Sequence, residues 1–244
     1  MSRFATKICL VTGASRGIGL AIATRLAEEG AHVITAQRGA APGFESHQID
    51  LTDTDAISTL LTDIIAQHGR LDVLVNNAGI MPHAPLQDMA LSDWHNTIAL
   101  NLTTPFWLMS KALPHLAKVG GAIVNIGSIE GLGANAGHSA YCASKGGIHA
   151  LTTSAAVDAG PLGVRVNAVA PGWINTDLNE AFIEDMPDPA AFRADIAKIH
   201  PLGKTGEPSD VAGLVAFLAS DDAAFITGQI ITIDGGRLSR LPLP

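Results

Sequence analysis

An apolar run at residues 8–11, Ile-Cys-Leu-Val, breaks directly into a glycine-rich turn, TGASRGIG, whose glycines are Gly13, Gly17 and Gly19. Apolar residues then recur at Ile18, Ile22 and Leu26, a helical period, until Gly30 interrupts it. Few local patterns restrict a fold as much as a strand that passes through glycine into a helix. Glycine permits the tight turn, lets backbone N–H groups approach a diphosphate, and allows the helix to pack close on the strand. The pattern by itself also fits any tight strand–helix turn. Three residues separate the first two glycines, unlike G-x-G-x-x-G, and no GK[ST] follows, which speaks against a P-loop.

The alternation continues along the chain. Short apolar runs at residues 32–36, 47–50, 72–75, 122–126, 164–169 and 230–233 read as further strands. Ala-rich helical stretches separate them, notably at residues 139–159 and 209–219. This order predicts an α/β fold: a doubly wound (Rossmann) parallel seven-stranded sheet with helices on both faces. With 244 residues, 47% of them hydrophobic, the chain can bury one large core, and no repeat or linker divides it. Residues 1–244 therefore read as a single domain. The least regular segment, residues 175–206, contains Pro187, Pro189 and Pro201 and several acids, among them Glu184 and Asp185. It reads either as a surface loop with short helices or as a substrate lid.

Composition narrows the function classes. A net charge of −8 opposes nucleic-acid binding, which needs clustered Lys and Arg. No apolar run approaches a membrane span, and the first is too short for a signal-peptide core. Two cysteines make no disulfide framework, so a reduced, cytoplasmic setting is expected, with Cys9 in the core and Cys142 a small packed residue. None of the 9 histidines forms an i, i+4 pair and there is no CxxC, so no metal site is expected.

Several loops should meet at one sheet edge. Asp50 and Leu51 follow the third strand, Asn76-Asn77-Ala78-Gly79 the fourth, and Ser128 the fifth. Ligands of open α/β sheets bind outside the carboxyl ends of the strands, and a dinucleotide fits there. Tyr141, the single tyrosine, precedes Lys145 by one helical turn, so the two share a helical face. A free phenol has a pKa of about 10, too high for proton transfer near neutrality. A neighbouring ammonium favours the phenolate and is expected to lower it. Alone, the pair reads as a surface Tyr beside an ordinary Lys. Together with Ser128 and the glycine-rich turn it reads as an acid/base centre.

From Lys7 to Gly236 the chain resembles the short-chain dehydrogenase/reductase family, through TGASRGIG, Asp50-Leu51, NNAG, Asn101, Ser128, YCASK, PGWINT and TGQIITIDGG. The resemblance implies an oxidoreductase that interconverts a secondary alcohol and a ketone with NAD(P). Tyr141 would be the acid/base and Ser128 would bind the substrate oxygen. Lys145 would hold the nicotinamide ribose and depress the Tyr141 pKa. Asn101 would complete the tetrad by kinking its helix and supporting a proton-relay water. Cofactor contacts would come from Gly13, Ser15, Arg16, Gly17, Ile18, Gly19, Arg38, Asp50, Leu51, Asn77, Ala78, Gly79, Tyr141, Lys145, Pro171, Gly172, Ile174 and Thr176. The resemblance also implies a homotetramer built on the long helices near Asn101 and Tyr141, the apolar helix at residues 211–218 and the last strand.

At the end of the second strand, where an acid binds the adenine ribose of NAD, stands Gln37, followed by Arg38, with Arg16 in the turn. Two cations and no acid favour NADP, with NAD the alternative. His83, Glu130, Asn135, His138 and Trp173 would give a polar pocket, suited to a sugar, polyol or hydroxylated ring. Two other readings stand beside this one. They are a non-catalytic dinucleotide-binding sensor on the same fold, and an enzyme of 3-oxoacyl reductase, dehydratase or epimerase type.

Overall fold

The computed structural model describes residues 2–184 and 186–240. Asp185 and the tail at residues 241–244 lie outside the described residues. The strands are β1 (Ile8–Thr12), β2 (His32–Gln37), β3 (Glu45–Gln48), β4 (Val73–Asn76), β5 (Ala122–Ile126), β6 (Arg165–Pro171) and β7 (Ile230–Ile233). The helices are α1 (Gly17–Glu28), α2 (Thr54–His68), α3 (Leu91–Ile98), α4 (Thr104–Leu116), α5 (Ser139–Ala159), α6 (Asp177–Glu184), α7 (Pro189–Lys198) and α8 (Pro208–Ala219). All strands pair in parallel, in the order β3-β2-β1-β4-β5-β6-β7. The expected seven-stranded doubly wound sheet is the observed one. Its order reverses between β1 and β4, and that switch point opens a crevice above the strand ends.

Alternation along each strand divides the core in two. Cys9 and Val11 pack with Ile22 and Leu26 of α1 and Val211, Val215 and Leu218 of α8. Leu10 faces the other way, among Leu60 and Ile64 of α2, Leu108 of α4 and Ile123. Strands covered on both faces read as continuous apolar runs, which is why β1, β4 and β5 were legible. The apolar side of α8 is largely buried against α1 and the sheet within the chain, with Leu214 and Phe217 packed at its margin. No helix among the described residues is long and apolar enough to cross a membrane.

One strand differs from expectation. The third was expected at residues 47–50 but pairs over Glu45–Gln48, with Glu45 opposite Ile34 and Gln48 opposite Gln37. Its polar sequence carries no apolar signal, and the register is set by β2. Residues 175–206 hold two short helices, α6 and α7, capped in part by Asp188, whose carboxylate accepts the Ala191 N–H.

Candidate active site

The glycine-rich turn leaves β1 with Gly13 at φ +66°, a conformation that side chains resist. Gly19 answers a different need: a Cβ there would stand 2.2 Å from the Gly13 carbonyl oxygen and 2.4 Å from Asn77 Nδ2. Asn77 explains the closeness. Its Nδ2 donates to the Thr12 and Gly13 carbonyls at 2.9 and 3.0 Å, and its own N–H and that of Ala78 donate to Thr12 Oγ1. The loop after β4 is therefore bolted to the turn after β1. Arg16, at the N-cap of α1, makes no side-chain cap, so the first-turn N–H groups face the crevice. That cradle fits a diphosphate.

The crevice is a cleft of about 1380 Å³ along the carboxyl ends of the strands. Every expected cofactor residue lines it: Gly13, Ser15, Arg16, Gly17, Ile18, Gly19, Arg38, Asp50, Leu51, Asn77, Ala78, Gly79, Tyr141, Lys145, Pro171, Gly172, Ile174 and Thr176. So do Ser128, His83, Glu130, His138 and Trp173. Asn101 does not line it. It sits behind the wall, 2% exposed, in a π-helical turn between α3 and α4. The helix is irregular there, as expected. The side chain meets protein on every side, however, bonding the backbone of Ile80 and donating to Ser144 Oγ at 3.1 Å.

Ser128 Oγ caps a short 3₁₀ turn by accepting the Glu130 N–H at 3.1 Å, and its hydroxyl lies near that of Tyr141. Lys145, 5% exposed, donates from Nζ to the Ile126 carbonyl at 2.7 Å and lies 5.5 Å from the centre of the Tyr141 ring. The expected lowering of the Tyr141 pKa is not what this arrangement produces. Burial pushes the phenol up to about 12, against the lowering effect of the Ser128 hydroxyl and with help from the Glu130 charge. The same burial draws Lys145 down to about 8. Desolvation is the largest influence on both groups.

On the far side of Tyr141, His138 Nδ1 meets Glu130 Oε2 at 2.7 Å, while its buried Nε2 has no partner among the described residues. Burial pushes Glu130 up, but the His138 and Asn135 hydrogen bonds prevail and hold it below the usual carboxylate range. Cys142 donates its thiol to Glu130 at 3.5 Å. Trp173 Nε1 is another buried cleft atom without a partner among the described residues. Phe182 and Phe192 stack on Trp173 at 6.0 and 5.8 Å and enclose that end of the cleft. These two phenylalanines, Ile196 and Arg237 line the cleft and were missed in the sequence, where no motif marks them.

At the end of β2, beside the glycine-rich turn, Gln37 is 5% exposed, and its amide is taken up by the Ala14 N–H, Thr35 and Ser46. Arg16 and Arg38 are exposed on the cleft wall. Exposed Asp50 accepts hydrogen bonds from Thr52 N and Oγ1, and these bonds lower its pKa.

Comparison with known proteins agrees over the length of the chain. A family model described as enoyl-(acyl carrier protein) reductase matches residues 13–237. The 3-oxoacyl-[acyl-carrier-protein] reductase FabG of Staphylococcus aureus is 39% identical over 246 residues, covering 95% of this chain and 98% of that protein. Cis-4-hydroxycyclohexanecarboxylate dehydrogenase of Sinomonas cyclohexanicum is 41% identical over 247 residues, covering 96% and 97%. The solved structure of Thermoplasma acidophilum aldohexose dehydrogenase superposes with a TM-score of 0.95 at 35% identity, covering 100% of this chain and 98% of that one.

Proposed function

The chain belongs to the short-chain dehydrogenase/reductase family, whose members act on CH–OH and C=O groups with a nicotinamide dinucleotide, and on that premise we propose how its own residues divide the work. The cofactor, when bound, supplies or accepts the hydride. Tyr141 gives its hydroxyl proton to the substrate oxygen in reduction and takes it back in oxidation. Ser128 donates to the same oxygen and stabilises the charge that develops there. Lys145 holds the nicotinamide ribose and keeps a positive charge beside the phenol. Gly13 to Gly19 receive the diphosphate, and Ile174 and Thr176 orient the carboxamide. The observation that carries this reading is the convergence of Ser128, Tyr141 and Lys145 on the cleft wall beside the glycine cradle.

NADP is the proposed cofactor. Arg16 and Arg38 stand exposed where a 2′-phosphate would lie, and Gln37 offers neither an acid nor a free amide to a ribose diol. The substrate is proposed to be a small, hydroxylated, cyclic or polyol compound. His138 Nε2 and Trp173 Nε1 are buried polar atoms awaiting partners, and an apolar ring face fits against Phe182 and Phe192. The names of the hydroxycyclohexanecarboxylate and aldohexose dehydrogenases point the same way. Residues 175–206, with α6 and α7 carrying those rings, are the proposed lid. Exposed Phe106 on α4 and Val157 on α5 support a homotetramer, and two free cysteines a cytoplasmic setting.

A second reading, 3-oxoacyl reduction, has the FabG relatives in its favour. One panel decides between them: cyclic ketones, polyols and 3-oxoacyl thioesters, each with NADP(H) and NAD(H), followed at the nicotinamide absorbance. Highest kcat/KM for a thioester would replace the proposed substrate class. Cofactor binding without turnover of any compound would sink the enzyme assignment for these residues.

A further inference from the structure

At the end of the sheet opposite the cleft, three histidines from three elements meet around one carboxylate. His32 is the first residue of β2, Glu45 the first of β3 and His68 the last of α2. A helix that returns antiparallel to its strands must end where those strands begin, so the topology brings the three together. His32 shares the face of Ile34, which packs under α2, and Glu45 and His47 share a face because side chains alternate along a strand.

Both imidazoles aim Nε2 at Glu45. His32 Nε2 lies 2.7 Å and His68 Nε2 3.1 Å from Glu45 Oε2, and His47 Nε2 is 3.6 Å from Oε1. The His32 and His68 rings stand 4.7 Å apart, tilted by 41°. One ligand atom from each of His32, Glu45 and His68 lies within 4.8 Å of the others. Donors around a tetrahedral ion with bonds of about 2.0–2.1 Å stand about 3.3 Å from one another. The two imidazole–carboxylate separations, 2.7 and 3.1 Å, lie just below that value. No Lys or Arg among the described residues pairs with this carboxylate, although its side chain is only 22% exposed. The ionisable groups that face this carboxylate are imidazoles, whose nitrogens can hold a metal ion.

We propose that His32, Glu45 and His68 form a site for a borderline divalent transition ion such as Zn²⁺, distinct from the catalytic cleft. Two imidazole nitrogens and one carboxylate oxygen suit zinc better than Ca²⁺ or Mg²⁺, which take oxygen ligands. Each ring would carry its remaining proton on Nδ1 and present Nε2 to the ion. His47 stands beside the set as a further donor. The ion would clip the edge strand β3 to β2 and α2. No metal site is legible in the sequence, where no two histidines have the i, i+4 spacing of a helical site. His32 and His68 come from separate elements.

The test uses the full chain, free of any affinity tag and stripped with a chelator, titrated with ZnCl₂ in competition with a chromophoric chelator. Saturable binding of one equivalent is expected, weakened by about tenfold or more in His68→Ala and Glu45→Gln. The thermal midpoint should rise with zinc in the parent chain and not in these variants. His32→Gln alters a half-exposed residue and serves where the other variants fold poorly. Tyr141→Phe should bind zinc like the parent, since its site lies at the other end of the sheet. Equal zinc affinity in the parent and His32→Gln or His68→Ala, no saturable binding, or loss of binding in Tyr141→Phe would each overturn the proposal.

Discussion

Asn101 and Ile80 are bonded in both directions: Asn101 Oδ1 accepts the Ile80 N–H at 2.9 Å, and its Nδ2 donates to the Ile80 carbonyl at 2.9 Å. Nδ2 also donates to Ser144 Oγ, which in turn donates to the Tyr141 carbonyl at 2.7 Å. The loop after β4 and the helix that carries the phenol are thus joined through one buried amide. Asn101→Ala should leave the Ile80 N–H unsatisfied at a cost of about 1–3 kcal/mol. We expect kcat to fall by about tenfold or more with KM changed less, because the loss is one of positioning. An unchanged kcat would refute the role.

Tyr141→Phe should fold normally, bind cofactor, and lose about 10²–10⁴-fold in kcat. Retained activity would remove Tyr141 from the mechanism.

The phenol itself can be titrated without ambiguity, since the chain has 1 tyrosine. With the Tyr141 pKa raised to about 12, the native protein should show little tyrosinate at pH 10, whereas the urea-unfolded chain should show about half. The sign follows from the raised value. The buried phenol contributes stability that is complete below its unfolded pKa of about 10 and is lost as the pH rises through the folded one. Half-ionised tyrosine at pH 10 in the native protein would contradict the burial argument.

Lys145, lowered to about 8, loses its charge earlier than an ordinary lysine. Cofactor affinity should therefore weaken as the pH rises from about 7 to about 9, and Lys145→Arg should flatten that dependence because a guanidinium stays charged. An inflection that persists in the arginine variant would assign it to another group.

Arg38→Ala should lower kcat/KM for NADP by about tenfold, as expected for one lost charge-assisted bond of about 1.5–3 kcal/mol, and change NAD little. A chain that prefers NAD before and after this change would reverse the cofactor proposal.

Glu29 offers a check remote from the site. The Arg3 hydrogen bond, opposed by burial and reinforced by Arg25, lowers its carboxyl to about 2. The stabilisation is present above about pH 4.5 and is lost as the pH falls towards 2. The stability difference between the parent and Glu29→Gln should vanish over that window; a constant difference would mean the ion pairs do not contribute.

Much of this was readable from local pattern. The apolar runs of β1, β4 and β5 and the helical periods after them predicted a parallel sheet. The glycine spacing, Ser128 and the Tyr141–Lys145 interval located a cleft at one edge of it. Glu45 to Gln48 were displaced by two residues because a polar edge strand has no hydrophobic period to read. Phe182, Phe192 and Arg237 escaped because no motif marks them in the sequence, and only packing brings them to the cleft wall.

The sequence by itself determined the order of strands and helices, and hence which loops could meet, because turn chemistry and hydrophobic period act over a few residues. The tertiary structure alone decided what those residues experience there. It engaged the amides of Asn77 and Gln37 within the protein, raised Tyr141 and lowered Lys145 by burial, and gathered His32, Glu45 and His68 at the far end of the sheet. Desolvation and hydrogen-bond partners depend on neighbours that are close in space and distant along the chain.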